Sequence, residues 1–110
     1  MTNGFQHQSL AAGRWFTLSL MEQLGNIGSE VGRAARSRGD EKRFEGAVSR
    51  ALELFHLTIS DPRWRGRLKE LTRVRELFCD AVLGGSSYGT SLEDLDKYFY
   101  YFAYAARSRR

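Results

Sequence analysis

Arginine, lysine and aromatic residues cluster in two stretches whose chemistry suits a phosphate-bearing ligand. One stretch directly follows the single proline, and the other is the C-terminal end of the chain. Guanidinium groups can hold an oxyanion through two hydrogen bonds, and aromatic rings such as those of Trp64 and Tyr104 can stack on bases. The pattern predicts nucleic-acid binding by five side chains: Arg63, Arg65, Arg67, Lys69 and Arg107. An ordinary helix end with a solvated basic tail is the alternative interpretation.

The segment Tyr98–Tyr104 is the second unusual feature, because six of its seven residues are aromatic. A helix that is aromatic all round needs neighbours on several sides. Each ring buries roughly 150–250 Å² when it is enclosed, which is a large area for a chain of 110 residues. We therefore expect four tyrosines to contact a second copy, a protein partner or nucleic acid: Tyr98, Tyr100, Tyr101 and Tyr104. The alternative is a deeply buried helix with its hydroxyl groups at the edges.

Composition excludes several other classes of function. The net charge is +4, and 14 of the 17 cationic residues are arginine, which favours phosphate or carboxylate recognition. The single Cys79 cannot pair within the chain, so a reducing, cytoplasmic setting is expected. No apolar run approaches the roughly 20 residues that span a bilayer, so no membrane partner is predicted. Two histidines and one cysteine without clustered spacing predict neither a metal nor a cofactor.

The elements that must position these residues are helices, because apolar residues recur at steps of three and four. Asp40, Asp61 and Ser91 are suited to cap three of them. Helices joined by short turns pack antiparallel. The sequence therefore predicts an all-α, antiparallel up-down four-helix bundle over residues 17–110, after a flexible lead-in over residues 1–16 from which Trp15 and Phe16 dock. The four helices are predicted at about 17–36, 40–60, 62–83 and 91–108.

Three glycines lie within the first predicted helix: Gly25, Gly28 and Gly32. Each glycine costs a helix roughly 1 kcal/mol relative to alanine. They are reasonable if another backbone approaches closely, so the spacing predicts a tight crossing by a neighbouring helix. A weak, bent helix is the alternative.

The stretch Asn26–Arg33 resembles part of the small bacterial four-helix-bundle proteins encoded by intervening sequences in large-subunit ribosomal RNA genes. Phe44, Arg50 and Glu53 could match the following helix of that family. The accessory variability determinant proteins of diversity-generating retroelements look like relatives of it. The resemblance, which covers about residues 20–59, implies an oligomeric basic bundle that binds RNA or DNA and a reverse transcriptase.

Arg50 and His56 raise one enzymatic alternative. Their spacing is similar to the Arg and His of HEPN-type ribonucleases, in which the histidine acts in RNA cleavage across a dimer. Six residues apart on an ideal helix, the two side chains point about 120° from one another. We therefore favour a non-enzymatic, oligomeric binding module for nucleic acid or a nucleic-acid-processing protein. The HEPN-like ribonuclease or toxin, and a protein-interaction subunit that uses the aromatic helix, remain open.

Overall fold

The computed structural model describes residues 13–108, and the regular secondary structure in this part of the chain is all helical, without strands. The all-α prediction is confirmed. After a helical turn at residues 13–15, the elements are α1 (Leu20–Arg36), α2 (Glu41–Ser60), a 3-10 segment (Pro62–Arg67), α3 (Leu68–Val82) and α4 (Leu92–Ser108). No helix in the described range is long and apolar enough to cross a membrane. Most of the predicted lead-in, residues 1–12, lies outside the described residues.

Side-chain caps fix where the helices begin. α1 starts at Leu20 and not at Thr17, because Ser19 and Glu22 form a capping box that the sequence analysis missed. Ser91 and Asp94 form the short-armed box predicted for α4, with Ser91 Oγ accepting from the Asp94 amide at 3.0 Å. Asp40 caps α2 as predicted, since its carboxylate accepts from the Arg43 amide at 3.2 Å.

The predicted tight crossing of α1 is confirmed, and the neighbouring helix is α4. A Cβ added to Gly25 would lie 3.1 Å from Ala103 Cα, and one added to Gly28 would overlap Phe99 Cβ. Because rising numbers on α1 meet falling numbers on α4, the two helices run in opposite directions. The three α1 glycines thus let α4 approach nearly to backbone contact.

The core lies between all four helices. Phe55 of α2 contacts Phe78 of α3 at 5.7 Å and Phe99 of α4 at 6.1 Å between ring centroids. Ile27 and Val31 of α1 are fully buried beside these rings. Each helix therefore contributes to one continuous apolar centre.

The turn between α1 and α2 is attached to the end of α3. Arg38 donates a hydrogen bond from Nη2 to the Ala81 carbonyl at 3.1 Å. Its guanidinium also lies 5.3 Å from the centroid of the Phe44 ring. Arg38 therefore connects the α1–α2 turn to α2 and α3.

Candidate nucleic-acid interface

A buried polar network fixes the start of the predicted cationic stretch. Gln23 of α1 is fully buried, and its Nε2 donates to the Trp15 carbonyl at 2.9 Å and to Asp61 Oδ2 at 3.0 Å. Its Oε1 accepts from Trp64 Nε1 at 2.9 Å. Trp15 in turn donates from its indole nitrogen to Thr58 Oγ1 at 3.0 Å. One glutamine thus ties the segment before α1 to the corner after α2.

Arg63 belongs to this network. Its Nη2 donates to Asp61 Oδ2 and to the Leu18 carbonyl, both at 2.7 Å, and its guanidinium lies 4.4 Å from the Trp64 ring centroid. The hydrogen bond from Arg63 lowers the pKa of Asp61 to about 2, against the opposing effect of burial and with a further contribution from Gln23. Arg63 therefore holds the corner together through its Nε and Nη2 donors.

The same network explains why the predicted third helix does not start as an α-helix. Pro62–Arg67 is a 3-10 segment, and Trp64 has non-helical angles of φ −105° and ψ 22°. In this tighter turn, Arg63 reaches Asp61 while Trp64 reaches Gln23. The α-helix begins only at Leu68, so the predicted helix over residues 62–83 is shorter in the structure.

Arg65 and Lys69 are the available cations of the predicted set. Both are exposed, and neither makes a side-chain hydrogen bond or ion pair within residues 13–108. Arg67 is exposed but donates from Nε to Glu70 Oε1 at 2.7 Å. Because such exposed pairs are weak, Arg67 could exchange this partner for a phosphate at small cost.

Two tyrosine side chains lie near other arginines of this region, Tyr98 near Arg67 and Tyr88 beside Arg73. Partial burial and the negative charge of Glu70 raise the pKa of Tyr98, whereas Arg67 acts in the opposite direction, so its hydroxyl lies near the start of α3. Further along α3, the Arg73 guanidinium lies 5.2 Å from the Tyr88 ring centroid. We call this region the α3 cation–tyrosine surface: Arg65, Arg67, Lys69, Arg73, Tyr88 and Tyr98.

The four predicted interface tyrosines are all exposed. The exposed fraction is 44% for Tyr98, 57% for Tyr100, 70% for Tyr101 and 57% for Tyr104. Phe99, on the opposite side of the same helix, is 1% exposed. The aromatic helix is therefore buried on one face only, and its tyrosines are free to meet another molecule.

Arg107 lines a groove of about 720 Å³ between α1, α2 and the end of α4, which none of the other four predicted cations lines. Three other arginines and three glutamates line the same groove: Arg14, Arg33, Arg50, Glu22, Glu30 and Glu53. Arg107 thus shares a surface with α1 and α2.

The structure does not bring Arg50 and His56 together in this groove. Arg50 lines it and donates from Nε to Glu30 Oε1 at 3.2 Å, whereas His56 is exposed and does not line it. Among the described residues, no group of three or more His, Cys, Asp or Glu side chains could hold a metal ion.

The sequence analysis missed the Gln23 network, although one signal for it was present. Gln23 lies four residues before Ile27, on the apolar face of α1, where a polar side chain must find buried partners. Its partners come from two other segments, the one before α1 and the corner after α2, and no spacing rule relates them.

No protein-family model, curated protein or solved structure matches this chain. The resemblances suggested by Asn26–Arg33 and by the pair Arg50 and His56 therefore stay hypotheses. Function must be inferred from the geometry.

Proposed function

We propose that this chain is a non-enzymatic, self-associating α-helical module that binds nucleic acid through the α3 cation–tyrosine surface. The observation that carries the proposal is the combination of unpaired cations, Arg65 and Lys69, with exposed tyrosines that already pack beside arginine. Cations neutralise backbone phosphates, and exposed rings stack on unpaired bases. Single-stranded RNA or DNA is the ligand class that uses both groups.

The four helices are proposed to form an antiparallel up-down bundle. The opposite directions of α1 and α4 support this topology. So does the short turn after α1, where Asp40 begins α2 only four residues beyond Arg36. In such a bundle, α3 and α4 present their outer faces side by side to a ligand.

Self-association is proposed through the exposed face of α4. Tyr100 and Tyr101 pack edge to face, with 6.0 Å between ring centroids, and both remain more than half exposed. Together with Tyr104 they expose roughly 300–450 Å² of aromatic surface, if a whole ring amounts to roughly 150–250 Å². Contiguous patches of that size commonly mark interaction sites.

Binding is tested by fluorescence anisotropy with a labelled 12-nucleotide oligouridylate at rising salt. The test variant combines Arg65→Gln with Lys69→Gln. The matched control combines Arg75→Gln with Lys97→Gln, which removes the same two residue types from exposed positions outside the proposed surface. On a single strand, each lost phosphate contact reduces the slope of log affinity against log salt concentration (the salt slope) by about 0.7. The test variant is therefore expected to lose about 1.4 in this slope and about 25-fold in affinity at 0.1 M salt.

Two results would contradict the proposal. One is a parent protein that does not bind the probe even at low salt. The other is a test variant that binds as tightly as the control variant. Light scattering examines self-association separately: Tyr100→Ser with Tyr101→Ser should give a smaller particle than the parent, whereas Tyr88→Ser should not.

A protein-interaction subunit is the second candidate, and the same exposed tyrosines favour it. Its partner could be a nucleic-acid enzyme such as a reverse transcriptase, as the resemblance implies. Binding to a purified partner that is lost with Tyr104→Ala but is insensitive to salt would favour this candidate over direct nucleic-acid binding.

A further inference from the structure

A second cationic surface lies where α1 ends and α2 begins, and none of the five side chains predicted to bind nucleic acid lines it. It is a cleft of about 630 Å³. Five cationic residues line it with one serine and one glycine: Arg33, Arg36, Lys42, Arg43, Arg50, Ser37 and Gly46. Among the described residues, no acidic side chain lines it.

Three of the five cations already have carboxylate partners. Arg33 and Arg50 both bind Glu30, at 2.7 and 3.2 Å, and the Glu30 side chain is only 12% exposed. Arg43 lies 3.5 Å from Asp40, and both of these side chains are mostly exposed. Glu30 therefore holds two guanidinium groups from adjacent helices close together, while most of their N–H donors stay free.

The other two cations, Arg36 and Lys42, make no side-chain hydrogen bond or ion pair within the described part of the chain. Asp96 of α4 is an acid near Arg36. Its Oδ1 and Arg36 Nη1 lie 2.8 and 3.0 Å from the position that a Cβ on Gly32 would take. The cleft thus keeps an excess of positive charge after its neighbouring carboxylates are counted.

Gly46 keeps the cleft open. It lies one helical turn before Arg50, and a Cβ at this position would be 3.4 Å from Arg50 Nη1. The missing side chain leaves room beside a guanidinium group that is already oriented. An anion could therefore approach Arg50 from this side.

We propose that this cleft binds phosphates of a nucleic-acid strand; the inference rests on the ligand class of the proposed function and gives the same bound strand a further set of phosphate contacts. The cleft shares Arg33 and Arg50 with the groove that reaches Arg14 and Arg107. Along α2, the cationic lining of the cleft runs from Lys42 to Arg50. This part of the helix rises about 12 Å, or roughly three phosphate steps of a stacked strand. That length suits a strand better than a single phosphate.

The test combines Arg36→Gln with Lys42→Gln. These side chains have no partners to lose, so the variant should fold like the parent, which circular dichroism checks. It removes one arginine and one lysine, as do the α3 variant Arg65→Gln with Lys69→Gln and the control variant. With the labelled 12-nucleotide oligouridylate, we expect the cleft variant to lose about 25-fold in affinity at 0.1 M salt and about 1.4 in salt slope.

The outcomes separate this inference from the proposed function. A cleft variant that binds like the control overturns the inference, and if the α3 variant is weakened at the same time the proposed function stands. A weakened cleft variant supports the inference, whatever the α3 variant does. A parent protein that does not bind at low salt overturns both.

A competition experiment separates a strand from a lone phosphate. Unlabelled oligouridylate should displace the probe at a far lower concentration of phosphate groups than inorganic phosphate does. Equal displacement per phosphate group by the two competitors would overturn the assignment to a strand.

Discussion

Replacing Gly28 with alanine should weaken the contact between α1 and α4. The new Cβ would overlap Phe99 Cβ, which is attached to the backbone and cannot rotate away, so the helices must separate. Overpacking of this kind costs about 1–3 kcal/mol, and the depth of the overlap favours the upper end. The higher helix propensity of alanine returns about 1 kcal/mol. The expected net loss is about 2 kcal/mol in the free energy of unfolding.

The measurement is urea unfolding followed by circular dichroism at 222 nm. With a slope of about 2 kcal/mol per molar urea, the loss corresponds to a midpoint about 1 M lower. In a thermal scan it corresponds to roughly 8 °C.

Gly46→Ala is the matched control, because it also places a methyl group inside a helix. Its nearest neighbour is the movable end of Arg50 at 3.4 Å, so we expect unchanged or slightly higher stability. The reasoning about close helix packing would be refuted if Gly28→Ala were as stable as the parent or as Gly46→Ala.

Three further predictions concern the polar network and the enzymatic alternative. The folded pKa of Asp61, about 2, lies below its ordinary value of 3.8, so its interactions stabilise the fold above pH 4 and this contribution is lost as pH falls through 2. Asp61→Asn should therefore be about 1–2 kcal/mol less stable at pH 7, after allowing for screening at the half-exposed Arg63, and the difference in urea midpoints should shrink below pH 4. A constant difference down to pH 2 would contradict this. Trp15→Phe removes the hydrogen bond to Thr58 and should cost about 1–3 kcal/mol in the same assay; an unchanged midpoint would show that the bond contributes nothing. The purified protein should not cleave RNA on a denaturing gel, and cleavage that His56→Ala abolishes would refute the non-enzymatic proposal.

The features that sequence reasoning predicted well are local or periodic. The caps Asp40 and Ser91 act within three residues of themselves, so their partners can be read directly from the chain. The α1 glycines have a low helix propensity, so their presence within a helix predicted the close approach of a neighbouring helix. Exposed Tyr101 and buried Phe99 follow from helical spacing.

The features that it missed depend on distant partners. Arg63 was predicted to bind a ligand, and its additional role in the fold was not predicted: its guanidinium binds Asp61 and the Leu18 carbonyl. The second of these partners lies 45 residues away in sequence. The groove that Arg107 lines was not predicted either, because it depends on how α4 packs across the small residues of α1.

The attachment of Arg38 to the Ala81 carbonyl and the Phe44 ring has a consequence for how this protein should respond to engineering. Some of its arginines bind other parts of the fold, so the formal net charge is a poor guide to the protein's affinity for polyanions. Replacing Arg38 with a neutral residue should weaken the contacts between the α1–α2 turn, α2 and α3 more than it reduces the attraction of the protein for a polyanion. Positive charge added at random to the surface would likewise be a poor substitute for the few guanidinium groups that are available to bind a ligand.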